Sequence, residues 1–251
     1  MKDLAEKTVI VTGAEGLIGR EIVKEFLDHG STVVAADIAY TQTESKGDRH
    51  LTVPLDLADT ASIDALLAAT LDRYGRIDAL VNAAYPRTPD WGHYRLEDTP
   101  LRHWKENVDL QLNSVFYIDR QCALAMERQG SGSIVNFGSI YGIVGNDFTI
   151  YEDYGGTSPA EYCAIKGGII NFTRYLASYL GKHGVRANCV CPGGVWDHQR
   201  EEFVRAYNHR CPMKRMANPD DIAPLCLFLA SDGAKYITGQ IIAADGGWTA
   251  I

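Results

Sequence analysis

Tyr162 and Lys166 stand four residues apart in Tyr162-Cys163-Ala164-Ile165-Lys166, and Ser139 closes an apolar, strand-like run upstream. Residues four apart share one face of a helix, so an ammonium can lie beneath a phenol while a hydroxyl approaches from the strand. Three such groups converging on one substrate oxygen can move a proton. Free tyrosine titrates near 10, and bringing it close to neutrality requires about three units, or ~4 kcal/mol, which nearby positive charge can supply. The Tyr-x-x-x-Lys spacing alone is weak in a chain with 13 tyrosines. Its weight comes from the company it keeps.

That company begins at the N-terminus. Thr8-Val9-Ile10-Val11 reads as a strand and runs into Thr12-Gly13-Ala14-Glu15-Gly16-Leu17-Ile18-Gly19, a turn that can lay a pyrophosphate on a helix N-terminus. Gly13 serves a tight turn, Gly16 close approach to phosphate, and Gly19 packing of helix on strand. Asp37 ends the next strand 18 residues after Gly19, where a carboxylate accepts both ribose hydroxyls and repels a 2′-phosphate. No Arg or Lys follows at 38 to 41 to offset it, so NAD is expected rather than NADP. Together with the proton-moving trio, this turn points to hydride transfer.

The elements that must position these groups alternate strand and helix from end to end, the pattern of a parallel sheet covered by helices on both faces. Strands are expected at Thr8 to Thr12, Thr32 to Asp37, His50 to Val53, Asp78 to Asn82, Ser133 to Phe137, Val185 to Cys191 and Ile237 to Ala243. Helices are expected from Leu17 to His29, Asp59 to Tyr74, Thr99-Pro100 to Gln129 without a break, Ser158 to Lys182, and Asn218-Pro219 to Ala230. The polar stretch Tyr40 to Arg49 reads as a connection. No repeat or linker marks a boundary, so a single domain over 1–251 is expected.

Bulk properties exclude several classes. A formal charge of -8 without a basic block disfavours nucleic acid. The N-terminus lacks a secretory signal, and no run approaches the ~20 apolar residues of a membrane span, so a cytoplasmic protein is expected. Six cysteines show neither Cys-x-x-Cys spacing nor a His pair, which argues against a metal site and for reduced thiols. Cys163 is expected as a small buried hydrophobe, and the sulfurs of Cys189 and Cys191 to point apart.

Taken in order, the chain resembles the short-chain dehydrogenase/reductase family over nearly its whole length. The resemblance rests on Thr12 to Gly19, on Leu55-Asp56-Leu57, on Leu80-Val81-Asn82-Ala83-Ala84-Tyr85, and on Asn136-Phe137-Gly138-Ser139. It continues through Tyr162 and Lys166, Pro192-Gly193-Gly194-Val195, and Asp245-Gly246-Gly247. It implies a Rossmann-type three-layer α/β/α sandwich with a seven-stranded parallel sheet, a homodimer or homotetramer, and interconversion of an alcohol and a ketone. It further implies dinucleotide contacts at Gly13, Glu15, Gly16, Leu17, Ile18, Gly19, Asp37, Asp56, Leu57, Asn82, Ala83, Ala84, Tyr162, Lys166, Pro192, Gly193 and Val195. Ser139, Tyr162, Lys166 and Gln111 stand at the catalytic positions.

Four departures surround the substrate side. Gln111 takes the place of the family's usual Asn, Ala83 and Tyr85 replace an Asn and a Gly, and Val195-Trp196-Asp197 lacks a Thr. Ser139 and Tyr162 lie 23 positions apart, longer than the family's usual spacing, so Asn146 to Ser158 reads as an insertion. The insertion is polar and aromatic and is expected to face Tyr85, Arg87, Trp91, His93 and Trp196, a lining suited to a polyhydroxylated ligand. Arg87 is the candidate for a substrate phosphate or carboxylate, with pairing to Asp90 as the alternative, and His93, His103, His198 and His209 read equally well as surface residues. The combination resembles a branch of oxidoreductases associated with flagellin modification and nonulosonate sugar pathways, which implies an amino-sugar or phosphosugar carbinol. A protein of another class, a catalytically weak NAD sensor or assembly subunit, is the alternative that Gln111 and the missing Thr support.

Overall fold

The structure, a computed structural model, describes residues 2–251. Eight strands form one sheet: β1 Thr8–Thr12, β2 Thr32–Asp37, β3 Glu44–Gly47, β4 His50–Pro54, β5 Ala79–Asn82, β6 Gly132–Phe137, β7 Val185–Pro192 and β8 Ile241–Ala244. Their order is β3-β4-β2-β1-β5-β6-β7-β8. Every pairing is parallel except that of β3 with β4. The chain winds outward from β1 through β2 and β4, then returns to place β5 on the other side of β1. Strand order therefore reverses between β1 and β5, and a crevice opens there beyond the carboxyl ends of the strands.

Central strands are buried on both faces, which is why β1 and β5 read as unbroken apolar runs rather than alternating ones. On one face Ile10, Leu80 and Ile134 pack with Leu66, Ile118 and Leu176. Those partners come from α2 (Thr60–Tyr74), α4 (Ser114–Gln129) and α5 (Ala160–Leu180). On the other face Val9, Val11, Val81 and Val135 meet Ile22 and Phe26 of α1 (Leu17–Asp28) and Leu227 of α7 (Pro219–Ala230).

Four features differ from the sequence expectation. The sheet has an eighth strand, β3, inside the polar stretch; all four of its residues are exposed, so no hydrophobic alternation marks it. The helix expected from 99 to 129 is interrupted: α3 (Leu101–Val108) passes into a π-turn, Asp109–Asn113, before α4 begins. A further helix, α6 (Glu201–Arg210), follows the Pro-Gly-Gly segment. The last strand also starts later than expected, at Ile241, because Thr238 and Gly239 are spent on turn hydrogen bonds to Ala187.

Two cysteine expectations are corrected. Cys163 is exposed, on the outer face of α5. Cys189 and Cys191 are two apart on β7 and so share a face, with their Sγ atoms 3.9 Å from each other and buried.

The insertion lies beside the cleft without lining it, with the Arg200 guanidinium 5.6 Å from the Tyr154 ring. Short 3₁₀ turns at Phe148–Tyr154 lie against α6, with Arg205 to Asp153 at 3.3 Å and Arg210 to Asp147 at 3.4 Å. Ile150 joins Tyr141, Tyr207, Met216 and Trp248 in a separate cluster, with Tyr151 and Tyr162 at its edge.

A Cβ on Gly19 would sit 1.9 Å from the carbonyl oxygen of Gly13, a clash between two backbones, whereas one on Gly145 meets nothing within 4 Å. Gly19→Ala is expected to cost on the order of 2 kcal/mol in chemical denaturation, and Gly145→Ala to leave stability within about 0.5 kcal/mol.

Candidate active site

A cleft of about 830 Å³ lies over the carboxyl ends of β1, β5, β6 and β7, in the size range of small-ligand sites. At one end Gly13, with φ +65, makes the turn out of β1, and its missing side chain lets Ala84 approach. Gly16 caps α1 with no side-chain hydrogen bond to the first turn. The first amides of the helix are therefore open to the cleft, where the helix dipole favours an anion.

Asp37 is pre-set beside this turn. Its carboxylate accepts from the amides of Glu15 and Ala39, each at 2.9 Å. Glu15 in turn accepts from the Tyr40 hydroxyl at 2.7 Å, which holds its carboxyl below the usual range, and pairs with Arg20 at 2.9 Å. Arg20 pairs with Glu15 at the surface, its side chain 68% exposed.

Among the residues expected to bind the dinucleotide, the cleft is lined by Gly13, Glu15, Gly16, Leu17, Ile18, Gly19, Asp37, Asp56, Leu57, Ala83, Ala84, Tyr162, Lys166, Pro192, Gly193 and Val195. Asn82 stands behind the wall instead. Its Oδ1 accepts from Thr12 at 2.8 Å, and its amide faces Asp119 at 3.5 Å. Asp119, fully buried on α4, also accepts from Asn136 at 2.7 Å, and Asn136 reaches Thr173 of α5 at 3.2 Å. Burial pushes the Asp119 carboxyl up to about 7. This polar thread ties β1, β5 and β6 to the two helices that carry the chemistry.

At the other end of the cleft Lys166 donates to the carbonyl of Phe137 at 3.0 Å, and its Nζ lies 5.8 Å from the centre of the Tyr162 ring and 5.2 Å from that of Tyr85. Desolvation brings the ammonium from its ordinary 10.5 down to about 8. Burial also raises the Tyr162 phenol above its ordinary value, and its hydrogen bond with Ser139 acts in the opposite direction. The chain's own groups thus leave the phenol protonated at neutral pH. The expected drop has to come from whatever cation binds above it.

Not every expected residue reaches the cleft. Ser139 is buried beside Tyr162, and its Oγ accepts from the Tyr141 amide at 3.2 Å. Gln111 sits in the π-turn, 3% exposed, with neither end of its amide hydrogen-bonded. Trp196 is exposed and stacks near His198 at 4.3 Å, while its neighbours Asp197 and Gln199 line the cleft. Tyr85 and Arg87 do line it, with the guanidinium 5.0 Å from the Tyr85 ring. Arg87 does not pair with Asp90, which instead faces His103 at 3.4 Å and Arg102 at 4.0 Å, so no carboxylate neutralises Arg87 among the described residues. No cluster of metal-ligating side chains occurs among the described residues.

The comparisons with known proteins fall on this same frame. A family model described as enoyl-(acyl carrier protein) reductase matches residues 13–249. The chain belongs to the short-chain dehydrogenase/reductase family. It is therefore a nicotinamide-dependent oxidoreductase acting on CH–OH groups. It is similar to the post-translational flagellin modification protein A of Campylobacter coli, 30% identical over 98% of this chain and 99% of that one. It is also similar to the 7alpha-hydroxysteroid dehydrogenase of Bacteroides fragilis, 32% identical over 99% of this chain and 96% of that one. Among solved structures, a short chain dehydrogenase from Leptospira borgpetersenii with bound NAD+ superposes with a TM-score of 0.88 at 32% identity, covering 99% of this chain and 96% of that one.

Sequence reasoning missed Asp119 and Glu161, and the surface placement it offered for His103 does not hold: all three are buried. Helical spacing marks Asp119 and Glu161 for the inner faces of their helices, but a charged residue there reads as surface until its partner is known.

Since the folded chain holds Lys166 at about 8 and an unfolded lysine titrates near 10.5, the unfolded state binds more protons between these values and stability rises with pH across that window. Lys166→Met is expected to stabilise the protein below pH 8, by at most about 3 kcal/mol. The gain should fade between pH 8 and 10.5 in denaturation curves, while turnover is lost at every pH.

Proposed function

We propose that this protein uses NAD to interconvert a secondary alcohol and a ketone on a polar, sugar-like substrate carrying an anionic group. The observation that carries the reading is the placement of Tyr162 over Lys166 at one end of a cleft whose other end presents open helix amides and a backbone-held Asp37. Asp37 suits a ribose diol and opposes a 2′-phosphate, and no Arg or Lys stands at 38 to 41 to offset it. NAD fits these residues better than NADP, in keeping with the NAD+ bound to the Leptospira relative. Bound there, NAD+ supplies the hydride acceptor. In the oxidative direction Tyr162 takes the hydroxyl proton as the carbinol hydrogen departs as hydride, Ser139 steadies the oxygen, and Lys166 favours the phenolate electrostatically.

Arg87 supports the substrate class. An unneutralised guanidinium at the rim, stacked on Tyr85, binds a phosphate or carboxylate in two places while the ring covers C–H faces. The Campylobacter relative's role in flagellin modification agrees with an amino-sugar or phosphosugar. A second reading, a dinucleotide sensor with little turnover, draws on the unpartnered amide of Gln111 away from the cleft.

We also infer a homodimer or homotetramer. Phe116, Phe172, Tyr175 and Tyr179 form a stacked aromatic stripe on the outer faces of α4 and α5, with centroids 5.6, 6.2 and 5.9 Å apart, and three of the four are exposed.

NADH formation is to be followed with phosphosugars, sugar nucleotides, free polyols, steroid alcohols and hydroxyacyl thioesters. Oxidation of a phosphosugar or sugar nucleotide, abolished by Tyr162→Phe with NAD+ affinity kept within about twofold, is the expected result. Activity confined to steroids or acyl thioesters refutes the substrate class, an active Tyr162→Phe refutes the mechanism, and tighter binding of NADP+ refutes the cofactor. Arg87→Met is expected to raise KM for the anionic substrate about tenfold or more, the scale of a lost charge-assisted pair.

A further inference from the structure

His103 and Glu161 form a buried pair next to the reacting phenol. Each is 1% exposed, and His103 Nδ1 lies 2.8 Å from Glu161 Oε1, yet neither carboxylate oxygen is aligned with a hydrogen-bond donor. A buried carboxyl group with no aligned donor costs stability, so its presence here calls for an explanation. The other ring nitrogen of His103 meets the Thr88 hydroxyl and the Asn107 amide, both at 3.2 Å, and Asp90 at 3.4 Å. Through these contacts the loop after β5 is clamped to α3 and to the first turn of α5.

The contacts close a circuit. Trp91, on that loop, stacks on His103 with ring centres 6.3 Å apart and an interplanar angle of 28°. Its edge meets Tyr162 at 6.1 Å, and Tyr85 completes a triangle at 5.8 Å from Trp91 and 5.9 Å from Tyr162. From Tyr162 the backbone leads one residue back to Glu161, hence to His103 and again to Trp91. A phenol that exchanges a proton over a cofactor must keep one ring orientation, since misplacement of a reacting group by about 1 Å can cost ~100-fold in rate. Ser139 and the cluster around Tyr151 hold one side of the Tyr162 ring, and this circuit bears on the side toward Tyr85 and Trp91.

We propose that His103 and Glu161 are a positioning pair for Tyr162, acting through Trp91: they hold the indole against the phenol and thereby fix the ring for proton transfer. The catalytic part of this inference rests on Tyr162 being the proton-transfer group; the ring-holding part does not.

The test uses the full chain saturated with NAD+ and two readouts. The first is the rate at which N-acetylimidazole acetylates Tyr162, followed by peptide mass spectrometry in wild type, Glu161→Gln, His103→Asn, Trp91→Leu and the Glu161→Gln/Trp91→Leu double variant. Release of the ring is expected to speed acetylation of Tyr162 about tenfold in each variant. The double variant should match the single ones, because both changes break one circuit. The second is turnover of the alcohol oxidised fastest in the panel above, where kcat is expected to fall at least tenfold while KM for NAD+ stays within about twofold.

Trp91 is only partly buried, so Trp91→Leu keeps the test open should a change at the buried pair prevent folding. Unchanged acetylation in folded Glu161→Gln or Trp91→Leu overturns the proposal, as do additive effects in the double variant. A fall in NAD+ affinity matching the fall in kcat also overturns it, since that marks general damage. Tyr162→Phe, run alongside, separates the two layers: retained turnover there removes the catalytic reading and leaves the acetylation result to judge the ring-holding on its own.

Discussion

One hydrogen bond anchors the chemistry of this molecule: the ammonium of Lys166, 6% exposed, donating to the carbonyl of Phe137. It joins α5 to the carboxyl end of β6 at the point where the strand gives way to Gly138 and Ser139. Because residues four apart share a helix face, fixing Lys166 there fixes Tyr162 one turn earlier, above the serine. The cost is visible in the lysine's depressed titration, a burial that the fold tolerates only because the site needs the charge. Stability is given up where function requires it, as is usual for charged groups in active sites.

Everything around that bond keeps the two layers from sliding. Gly138 has no side chain because one would press on the sulfurs of Cys191 and Cys189, at 2.5 and 2.9 Å. Thr12, Asn82, Asp119, Asn136 and Thr173 thread hydrogen bonds through the sheet into α4 and α5. The thread ties the central strands to both helices, although the Oδ1 of Asn136 is buried without a partner. The dinucleotide end is built on the same logic: Asp37 is held by two amides before any ligand arrives, so little reorganisation remains on binding.

Much of this was legible in the sequence, and for physical reasons. Central parallel strands are apolar on both faces, Gly13 and Gly19 are demanded by close backbone approach, and the spacing of Tyr162 and Lys166 gained its meaning from that turn. What escaped was nonlocal. β3 is exposed throughout and carries no apolar residue, the π-turn at Asp109–Asn113 leaves no compositional mark, and α6 is defined by its packing against the insertion. The insertion, polar and aromatic, meets Arg200 through Tyr154 and borders Tyr162 through Tyr151, while Tyr85, Arg87, Asp197 and Gln199 line the cleft itself. The pairing of Cys189 with Cys191 was open to inspection, since two residues apart on a strand share a face.

The central claim is that Tyr162 meets a carbinol oxygen directly above Lys166. It is tested most directly by diffraction from crystals of the protein with NADH and a bound ketone or alcohol. The account predicts the Tyr162 hydroxyl within hydrogen-bond reach of the substrate oxygen, about 2.6–3.2 Å, with the Lys166 ammonium beneath both and the reacting carbon over the nicotinamide. A phenol turned into the Trp91 and Tyr85 rings, out of reach of the substrate while cofactor and substrate are both in place, contradicts it.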